Sequence, residues 1–303
     1  MSPPGAVDVE IDGRTISLSN LDKALYPSGF TKAQVIDYMA RIAPVAVPHL
    51  TGRALTFKRF PDGTDTDGFF EKRCPGHRPA WVEVALGPGD RRGGIEYCRI
   101  DEPAAMVWAA NMAAIELHAP MACADALDVP RAIVFDFDPG APAAIAECCR
   151  VACAARDVLA AVGLEGWCKT SGSKGLQMYV PLNTPSATHD GAADFALAVG
   201  QVLERQLPGE VTTVMAKAER PGKVFVDWSQ NAFHKTTIAP YSLRARSEPT
   251  VSTPVTWDEV EACADGDVEL RFTSDEVLAR VEAHGDLFAP VLTVEQTMPV
   301  PGA

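Results

Sequence analysis

The chain has 303 residues, 47% of them apolar, and a formal net charge of −13 at pH 7. This composition allows a sizeable hydrophobic core and excludes wholesale disorder. No run of about eighteen apolar residues occurs, and residues 1–12 lack the charged-then-apolar layout of a signal peptide. A cytoplasmic protein with no membrane association is therefore expected.

Charge is distributed unevenly along the chain. From Lys217 to Arg246 there are six basic and two acidic residues, whereas from Trp257 to Asp286 there are ten acidic and two basic residues. The net acidity argues against indiscriminate nucleic-acid binding, but the first segment predicts a local basic surface. Ordinary surface variation is the alternative interpretation of that segment.

Helical and strand patterns alternate irregularly along the first half of the chain. Residues 1–12 form a loose start that leads into a short strand, and Thr31 is a typical N-cap for the helical periodicity that follows it. The segment Leu55–Phe60 predicts a strand, the Gly- and Pro-rich segment 85–94 a loop, and the segment Ala104–His118 a helix.

The second half of the chain contains longer apolar segments. In chain order they predict strand, helix, strand, helix and strand over Arg131–Phe137, Ala141–Val162, Leu176–Leu182, Ala192–Gln206 and Lys223–Trp228. Two short acidic helices are expected within 257–285, followed by a loosely ordered tail. This order favours an α+β or mixed α/β fold in a single domain over 1–303, with its core at about 15–288 and a tail at 289–303.

The eight cysteines include no CxxC pair. Cys148, Cys149 and Cys153 lie in an Ala-rich helical segment, where cysteine behaves as a small buried hydrophobe. Cys74 and His77 have a spacing found in zinc sites, but no second pair matches it. We therefore interpret them as a loop cysteine and a loop histidine without metal.

The strongest local signal is a pair of aspartates on an apolar strand. Asp136 and Asp138 are separated by one residue, so a strand places both carboxylates on the same face. Asp227 ends another apolar strand. Like charges so placed repel unless a cation lies between them, and hard oxygen ligands suit Mg²⁺ or Mn²⁺. Three such carboxylates are what two-metal phosphoryl transfer requires.

Two alternatives compete for this aspartate pair. A solvated strand end is about equally common for an isolated Asp-x-Asp. An aspartyl-nucleophile phosphatase also has such a pair after an apolar strand, but it needs further acidic and lysine motifs downstream. No convincing motif of that kind follows here, and Pro139 comes directly after the second aspartate.

Candidate phosphate ligands occur in two segments. Lys169–Gly175 is a loop of small residues whose backbone amides, serine hydroxyls and Lys174 could contact phosphate oxygens, although a plain turn has the same composition. The segment Lys235–Arg246 follows Asp227 closely and adds cations. His118 could bond a phosphate, although a lone histidine is more often structural.

Together these segments resemble the polymerase domain of bacterial ligase D, within the archaeo-eukaryotic primase superfamily. The resemblance runs from about residue 15 to about residue 288. The matching stretches are Asn20–Pro27, Phe57–Gly63, Gly68–Lys72, Ile115–His118, Phe135–Gly140, Thr170–Leu176, Lys223–Asn231 and Lys235–Arg244.

The resemblance implies a fold and a set of functional residues. The fold is a primase-polymerase catalytic core of class α+β, with antiparallel and mixed sheets that form a cleft flanked by helices. The implied catalytic metal ligands, for two ions of Mn²⁺ or Mg²⁺, are Asp136, Asp138 and Asp227. The implied nucleotide-binding residues are His118, Ser171, Ser173, Lys174, Gln230, Lys235 and Arg244. The implied DNA-binding residues are Lys23, Lys32, Lys58, Arg59, Phe69, Phe70, Lys217 and Arg220.

The expected activity is DNA-templated nucleotide addition, with ribonucleotides preferred, in gap filling or end joining. The expected partners are DNA with gaps, 5′-phosphates or broken ends, NTP or dNTP, a separate DNA ligase and end-binding repair proteins, and the expected location is the nucleoid. No ligase or nuclease motif follows Asp286, so a stand-alone relative is expected. Where the family has a histidine in its phosphate loop, this chain has Gln177. A DNA-end or gap-binding module with secondary polymerase activity is the alternative.

Overall fold

The computed structural model describes residues 6–90 and 93–299. The chain forms two compact units, each assembled from several segments. The first unit contains the residues up to Pro120, together with Ile238–Ser252 and Phe272–Gly285. The second contains Met121–Thr237, Thr253–Arg271 and the residues from Asp286 onward.

Helices occur in both units. In chain order they are α1 (Lys32–Leu50), α2 (Pro103–Asn111), α3 (Ile145–Ala160), α4 (His189–Gln206), α5 (Trp257–Ala264), α6 (Ser274–His284) and α7 (Pro290–Thr293). None of the helices in the described part of the chain is long and apolar enough to cross a membrane.

The strands are mostly short. In chain order they are β1 (Val7–Ile11), β2 (Arg14–Leu18), β3 (Thr56–Arg59), β4 (Phe69–Glu71), β5 (Val84–Asp90), β6 (Gly93–Cys98), β7 (Ala114–Pro120), β8 (Ala132–Pro139), β9 (Trp167–Thr170), β10 (Leu176–Pro181), β11 (Val211–Thr212), β12 (Val224–Asp227), β13 (Thr236–Ile238) and β14 (Pro254–Val255).

In the first unit, α1 and α2 pack together over a hydrophobic core. Helix α1 begins at the predicted cap, where Thr31 and Gln34 form a reciprocal capping box. Its buried positions Val35, Met39 and Ile42 recur at helical spacing and are at most 1% exposed. Strands β3, β4 and β7 belong to a sheet with the order β13-β7-β3-β4.

The predicted helix over Ala104–His118 is wrong in its second half. Helix α2 ends at Asn111, and Ala113 has a positive φ of 56°, which turns the chain into strand β7. Strand β7 is buried over most of its length, so apolar residues in 114–120 do not alternate regularly with polar ones. The spacing of the apolar residues therefore resembles that of a helix. As strand residues two positions apart, Glu116 and His118 share one face.

The second unit is built on a six-stranded sheet of order β11-β12-β8-β10-β9-β14. Strands β11 and β12 are parallel, whereas β12 with β8, β8 with β10, β10 with β9 and β9 with β14 are antiparallel. Helices α3 and α4 pack on the central strand β8. The α+β class with antiparallel and mixed sheets is therefore confirmed.

Two segments that we expected to be irregular are ordered. The predicted loop 85–94 lies mostly in the antiparallel hairpin of β5 and β6, and its residues 91 and 92 lie outside the described residues. The expected loose tail contains α7, and Gln296 donates to the Pro181 and Glu165 carbonyls. The tail is thus held by hydrogen bonds through Gln296. Residues 1–5 and 300–303 also lie outside the described residues.

Candidate metal and nucleotide site

The three predicted aspartates meet at one edge of the second unit's sheet. Asp136 and Asp138 lie on β8, and the antiparallel register places Asp227 of β12 directly opposite Asp136. One carboxylate oxygen from each residue lies within 4.8 Å of the others. Asp136 is buried, Asp227 is half-buried and Asp138 is exposed, so the cluster is open to solvent on one side.

The electrostatics of this cluster favour a cation. Burial, followed by the neighbouring charge of Asp138, raises the pKa of Asp136 to about 7. This pKa already reflects the opposing hydrogen bond from Gln177 and a smaller upward contribution from the charge of Asp227. Hard carboxylate oxygens that repel one another at this distance suit a divalent ion such as Mg²⁺ or Mn²⁺. The cluster therefore fits a metal site.

Asp227 is held by the 3₁₀ turn that follows it. Its Oδ1 accepts hydrogen bonds from the Ser229 amide at 3.1 Å and the Ser229 hydroxyl at 2.6 Å, and its Oδ2 accepts from Gln230 Nε2 at 3.0 Å. In the same turn, Asn231 exchanges two 2.8 Å hydrogen bonds with the backbone of Val134 on β8. Gln230, predicted to bind nucleotide, thus contacts a predicted metal ligand.

The predicted phosphate loop lies beside β8. The Ser171 hydroxyl accepts hydrogen bonds from the amides of Ser173 and Gly175, which closes the loop. A side chain at Gly175 would collide with the Phe137 carbonyl and approach an Asp138 oxygen at 3.5 Å. Lys174 is exposed at the tip of the loop. The loop therefore presents a cation and polar groups next to the aspartates.

A row of four polar residues crosses the sheet at the level of Asp136. In register, Asp227 faces Asp136, Asp136 faces Gln177 of β10, and Gln177 faces Lys169 of β9. Gln177 Nε2 donates to Asp136 Oδ1 at 3.1 Å, and Lys169 Nζ donates to Gln177 Oε1 at 2.6 Å. Lys169 is fully buried.

The first unit contains a separate cluster around Glu116. Its Oε2 lies 3.0 Å from His118 Nε2, and its Oε1 lies 3.2 Å from Arg244 Nε and accepts from the Ala245 amide. Burial alone would raise the pKa of Glu116, but the His118 hydrogen bond and the Arg244 charge lower it to about 2. Burial lowers the pKa of His118.

The chemistry of this cluster fixes the orientation of both phosphate-ligand candidates. A carboxylate only accepts hydrogen bonds, so His118 must carry a proton on Nε2. His118 and Arg244 are 13% and 16% exposed. One buried carboxylate thus orients both side chains. The predicted helix over this segment did not indicate this role, because it placed Glu116 and His118 on a helix instead of on one face of strand β7.

The predicted DNA-contact residues of the first unit differ in their surroundings. Phe69 and Phe70 lie on β4 rather than in a loop and are 45% and 60% exposed. Lys58 Nζ lies 5.4 Å from the centre of the Phe70 ring. Arg59 forms a 3.0 Å ion pair with Glu71 and donates to the Met112 carbonyl. The aromatic pair is therefore available to a ligand, whereas Arg59 holds the sheet together.

Lys23 and Lys32 lie close together at the start of α1. The Lys32 amide donates to the Lys23 carbonyl at 2.8 Å. Burial, followed by the charges of Lys23 and Arg59, lowers the pKa of Lys32 to about 8. Lys23 also forms an exposed ion pair with Asp62 at 3.3 Å. A cation that is destabilised by neighbouring cations would gain from an anionic ligand.

Lys217 and Arg220 lie in and after a short 3₁₀ turn of the second unit. Lys217 is exposed. The Arg220 guanidinium stacks over the Phe225 ring at 3.7 Å and donates to the Met215 carbonyl at 2.7 Å. Arg220 therefore supports the loop itself, and Lys217 is the freer candidate for a DNA contact. Lys235 is half-buried and closes a turn with Ala232.

A family model for the primase-polymerase domain of LigD matches residues 31–288. The chain belongs to this family. It is 45% identical over 280 residues to the multifunctional non-homologous end joining protein LigD of Mycolicibacterium smegmatis, covering 91% of this chain and 36% of that protein. It is 28% identical over 271 residues to the bifunctional LigD of Bacillus subtilis, covering 89% and 43%.

A solved structure extends this likeness to the fold. The polymerase domain of Mycobacterium tuberculosis ligase D in complex with DNA has a TM-score of 0.85 and 42% identity, covering 91% of this chain and 98% of that one. The chain spans about a third of the length of the mycobacterial LigD proteins that it matches.

Some features of this primase-polymerase domain were missed in the sequence. Cys74, interpreted as a loop cysteine, forms a disulfide with Cys98, 24 residues away. Glu116 contacts His118 and Ser229 contacts Asp227, both predicted site residues, while Lys169 contacts Gln177. Lys169 could have been recognised in the sequence as a polar residue in a buried strand, next to a site residue. Ser229 has the i+2 spacing from Asp227 that is typical of an aspartate-capped turn.

Proposed function

We propose that the chain is a DNA-templated nucleotidyltransferase that extends primer 3′ ends in gap filling or end joining. The observation that carries this proposal is the aspartate cluster, whose oxygens lie within 4.8 Å of one another in a chain of the LigD primase-polymerase family. That family consists of DNA-directed polymerases, and the structural relative was solved with DNA. Retention of all three aspartates favours catalysis over a purely DNA-binding role.

Asp136, Asp138 and Asp227 would hold two divalent ions, Mn²⁺ or Mg²⁺. When bound, such ions supply Lewis-acid activation of the primer 3′-hydroxyl and neutralise charge on the leaving pyrophosphate. Ser229 and Gln230 keep both oxygens of Asp227 oriented through the hydrogen bonds described above. The 3₁₀ turn thus fixes one metal ligand before any ion binds.

Phosphate groups of an incoming nucleotide would be held by cations and polar side chains. The candidates in the second unit are Ser171, Ser173, Lys174, Gln230 and Lys235. His118 and Arg244 are the candidates in the first unit. Lys174 and the loop amides offer the charge and the donors that phosphate oxygens accept. Glu116 engages Nε2 of His118, so His118 would need a second proton, on Nδ1, to donate a hydrogen bond to a phosphate oxygen.

DNA would be gripped by exposed aromatic and basic side chains. In the first unit, Phe69 and Phe70 can stack on template bases, which is a sequence-tolerant contact, and Lys58 can contact phosphates. In the second unit, Lys217 is the exposed candidate for a phosphate contact. Arg59 and Arg220 are further DNA-contact candidates that also stabilise their own units. Filling a gap leaves a 3′-hydroxyl next to a 5′-phosphate, which is a ligase substrate. A DNA ligase and end-binding repair proteins on the nucleoid are therefore the proposed partners.

Primer extension on a gapped duplex with labelled nucleotides and Mn²⁺ tests the proposed function. Templated addition that requires the metal would support it. DNA binding of normal affinity without any metal-dependent addition would instead favour a gap-binding module and contradict the proposal.

Ribonucleotides are expected to be incorporated in preference to deoxyribonucleotides. A site that hydrogen-bonds the 2′-hydroxyl gains about 0.5–1.5 kcal/mol, which corresponds to roughly 2- to 10-fold. Single-turnover incorporation of NTP and dNTP at equal concentrations measures the ratio. Faster incorporation of dNTP would show that this family property does not extend to this chain.

A downstream 5′-phosphate is expected to tighten binding of a gapped duplex. Lys32 is the first residue of α1, where the helix dipole also favours an anion. A charge-assisted contact contributes about 1.5–3 kcal/mol, or roughly 10- to 150-fold. Fluorescence anisotropy with 5′-phosphate and 5′-hydroxyl duplexes measures the preference, which should shrink as salt rises.

The lysine assignment has its own variants and a pH signature. Lys23→Ala combined with Lys32→Ala should remove the preference, while Arg41→Ala, an exposed change on the same helix, should keep it. Because the pKa of Lys32 is about 8, the preference should weaken as pH rises above 8. A double variant that still distinguishes phosphate from hydroxyl would place the phosphate contact elsewhere.

A further inference from the structure

The row of residues across the second unit's sheet continues beyond the metal ligands. Strands β12, β8, β10 and β9 present, in register, Asp227, Asp136, Gln177 and Lys169. The side chains along this row are therefore, in order, two carboxylates, an amide and a cation. Hydrogen bonds of 3.1 Å and 2.6 Å connect its last three members. Gln177 and Lys169 are not themselves proposed metal ligands.

The chemistry of the three groups allows only one arrangement of these bonds. A lysine ammonium only donates and a carboxylate only accepts, whereas an amide does both. Gln177 must therefore turn its oxygen to Lys169 and its NH₂ group to Asp136. Since Gln177 is 4% exposed and Lys169 is fully buried, packing restricts both side chains. Asp136 Oδ1 is consequently held in one direction.

Lys169 is also fixed from its other side. Its Nζ lies 5.5 Å from the centre of the Tyr179 ring, and the Tyr179 hydroxyl is 2.6 Å from Thr237 Oγ1. A buried charge is costly unless it is paired and hydrogen-bonded. Asp136 is the acidic group of this row that is nearest to Lys169, and Gln177 lies between them. The positive charge of Lys169 therefore offsets part of the repulsion among the aspartates.

We propose that Gln177 is a positioning residue for the metal ligand Asp136, and that Lys169 acts through it. This inference rests on the proposed metal site and deepens it. Residues that orient metal ligands from behind typically change metal affinity by about 10- to 100-fold when they are lost. Gln177 donates its hydrogen bond to Oδ1 of Asp136. The other carboxylate oxygen, Oδ2, is therefore the one that this contact does not occupy and that an ion could bind.

The test is a double-mutant cycle with Mn²⁺ binding as its readout. Wild type, Lys169→Met, Gln177→Met and the double variant are titrated with Mn²⁺ alone, by electron paramagnetic resonance of the free ion. Each single variant should bind Mn²⁺ about 10- to 100-fold more weakly. The loss in the double variant should be smaller than the sum of the two single losses, because the hydrogen-bonded path from Lys169 to Asp136 runs through Gln177.

Two further variants guard against loss of the fold and against general effects. A neutral imidazole can accept from Lys169 and donate to Asp136, so Gln177→His should restore Mn²⁺ binding to within about threefold. Gln201→Met, an exposed change on α4, is the matched control. If a single variant unfolds, the double variant still gives a result, since apolar replacement of both buried partners is often tolerated.

The outcomes separate this inference from the proposed function. Wild type that neither binds Mn²⁺ nor extends a primer would contradict the proposed function itself. Wild type that does both, with Gln177→Met binding Mn²⁺ equally well, would overturn the positioning role alone. Additive losses of Mn²⁺ affinity in the double variant would also overturn it, because they would mean that Lys169 and Gln177 act independently.

Discussion

Asp136→Asn and Asp227→Asn are each expected to reduce metal-dependent primer extension by about 10³-fold or more. Metal ions contribute several kcal/mol of transition-state stabilisation, and each 1.4 kcal/mol is about tenfold in rate. The substitutions keep side-chain volume but remove the charge that would hold an ion. Single-turnover extension at saturating nucleotide measures the loss. Asp194→Asn, an exposed change on α4, should retain full activity.

Asp136→Asn should not lose stability in the absence of metal. The pKa of Asp136 is raised to about 7 from its ordinary value of 3.8, so above pH 7 the charged carboxylate opposes folding. Asp136→Asn should therefore unfold at an equal or higher temperature than wild type at pH 8 without metal. Added Mn²⁺ should stabilise wild type and not the variant. Extension at a rate near that of wild type would contradict the metal assignment.

The aspartate cluster could be predicted because much of its arrangement is local. Asp136 and Asp138 share a strand, and the alternation of a strand alone places them on one face. Asp227 could be recognised as the end of a second apolar strand, although the pairing of β12 with β8 depends on the whole sheet. The capped start of α1 at Thr31 is local in the same way and is confirmed.

Contacts between distant residues could not be predicted from spacing. Glu116 and Arg244 are far apart in the chain, and the helical period of 104–118 hid the strand that directs Glu116 toward Arg244. Arg59 and Arg220 illustrate a second limit. Their DNA contacts stay a prediction, but the hydrogen bonds that each forms within its own unit could not be derived from spacing.

Glu116→Gln is expected to lower both stability and nucleotide affinity. Loss of one partner from a buried ion pair costs about 3–5 kcal/mol, and Arg244 and His118 depend on this one carboxylate. The uncharged Gln side chain has a single acceptor oxygen, so it cannot replace the carboxylate toward both Arg244 and His118. Because both are candidate nucleotide ligands, the KM for nucleotide should rise more than kcat falls. Urea unfolding and steady-state extension measure the two effects. Glu10→Gln, an exposed change on β1, is the matched control.

The pH dependence distinguishes this role from a packing defect. The folded-state pKa of Glu116 is about 2, below its ordinary value of 4.5, so its contribution to stability is present above pH 4.5 and is lost as pH falls toward 2. The difference in unfolding free energy between wild type and Glu116→Gln should therefore be largest near pH 7 and shrink between about pH 4.5 and 2. A difference that stays constant over this range would show that volume or packing, rather than the buried charge, accounts for the loss. Because the ion pair exists only while Glu116 is ionised, a shrinking difference would tie the orientation of His118 and Arg244 to that charge.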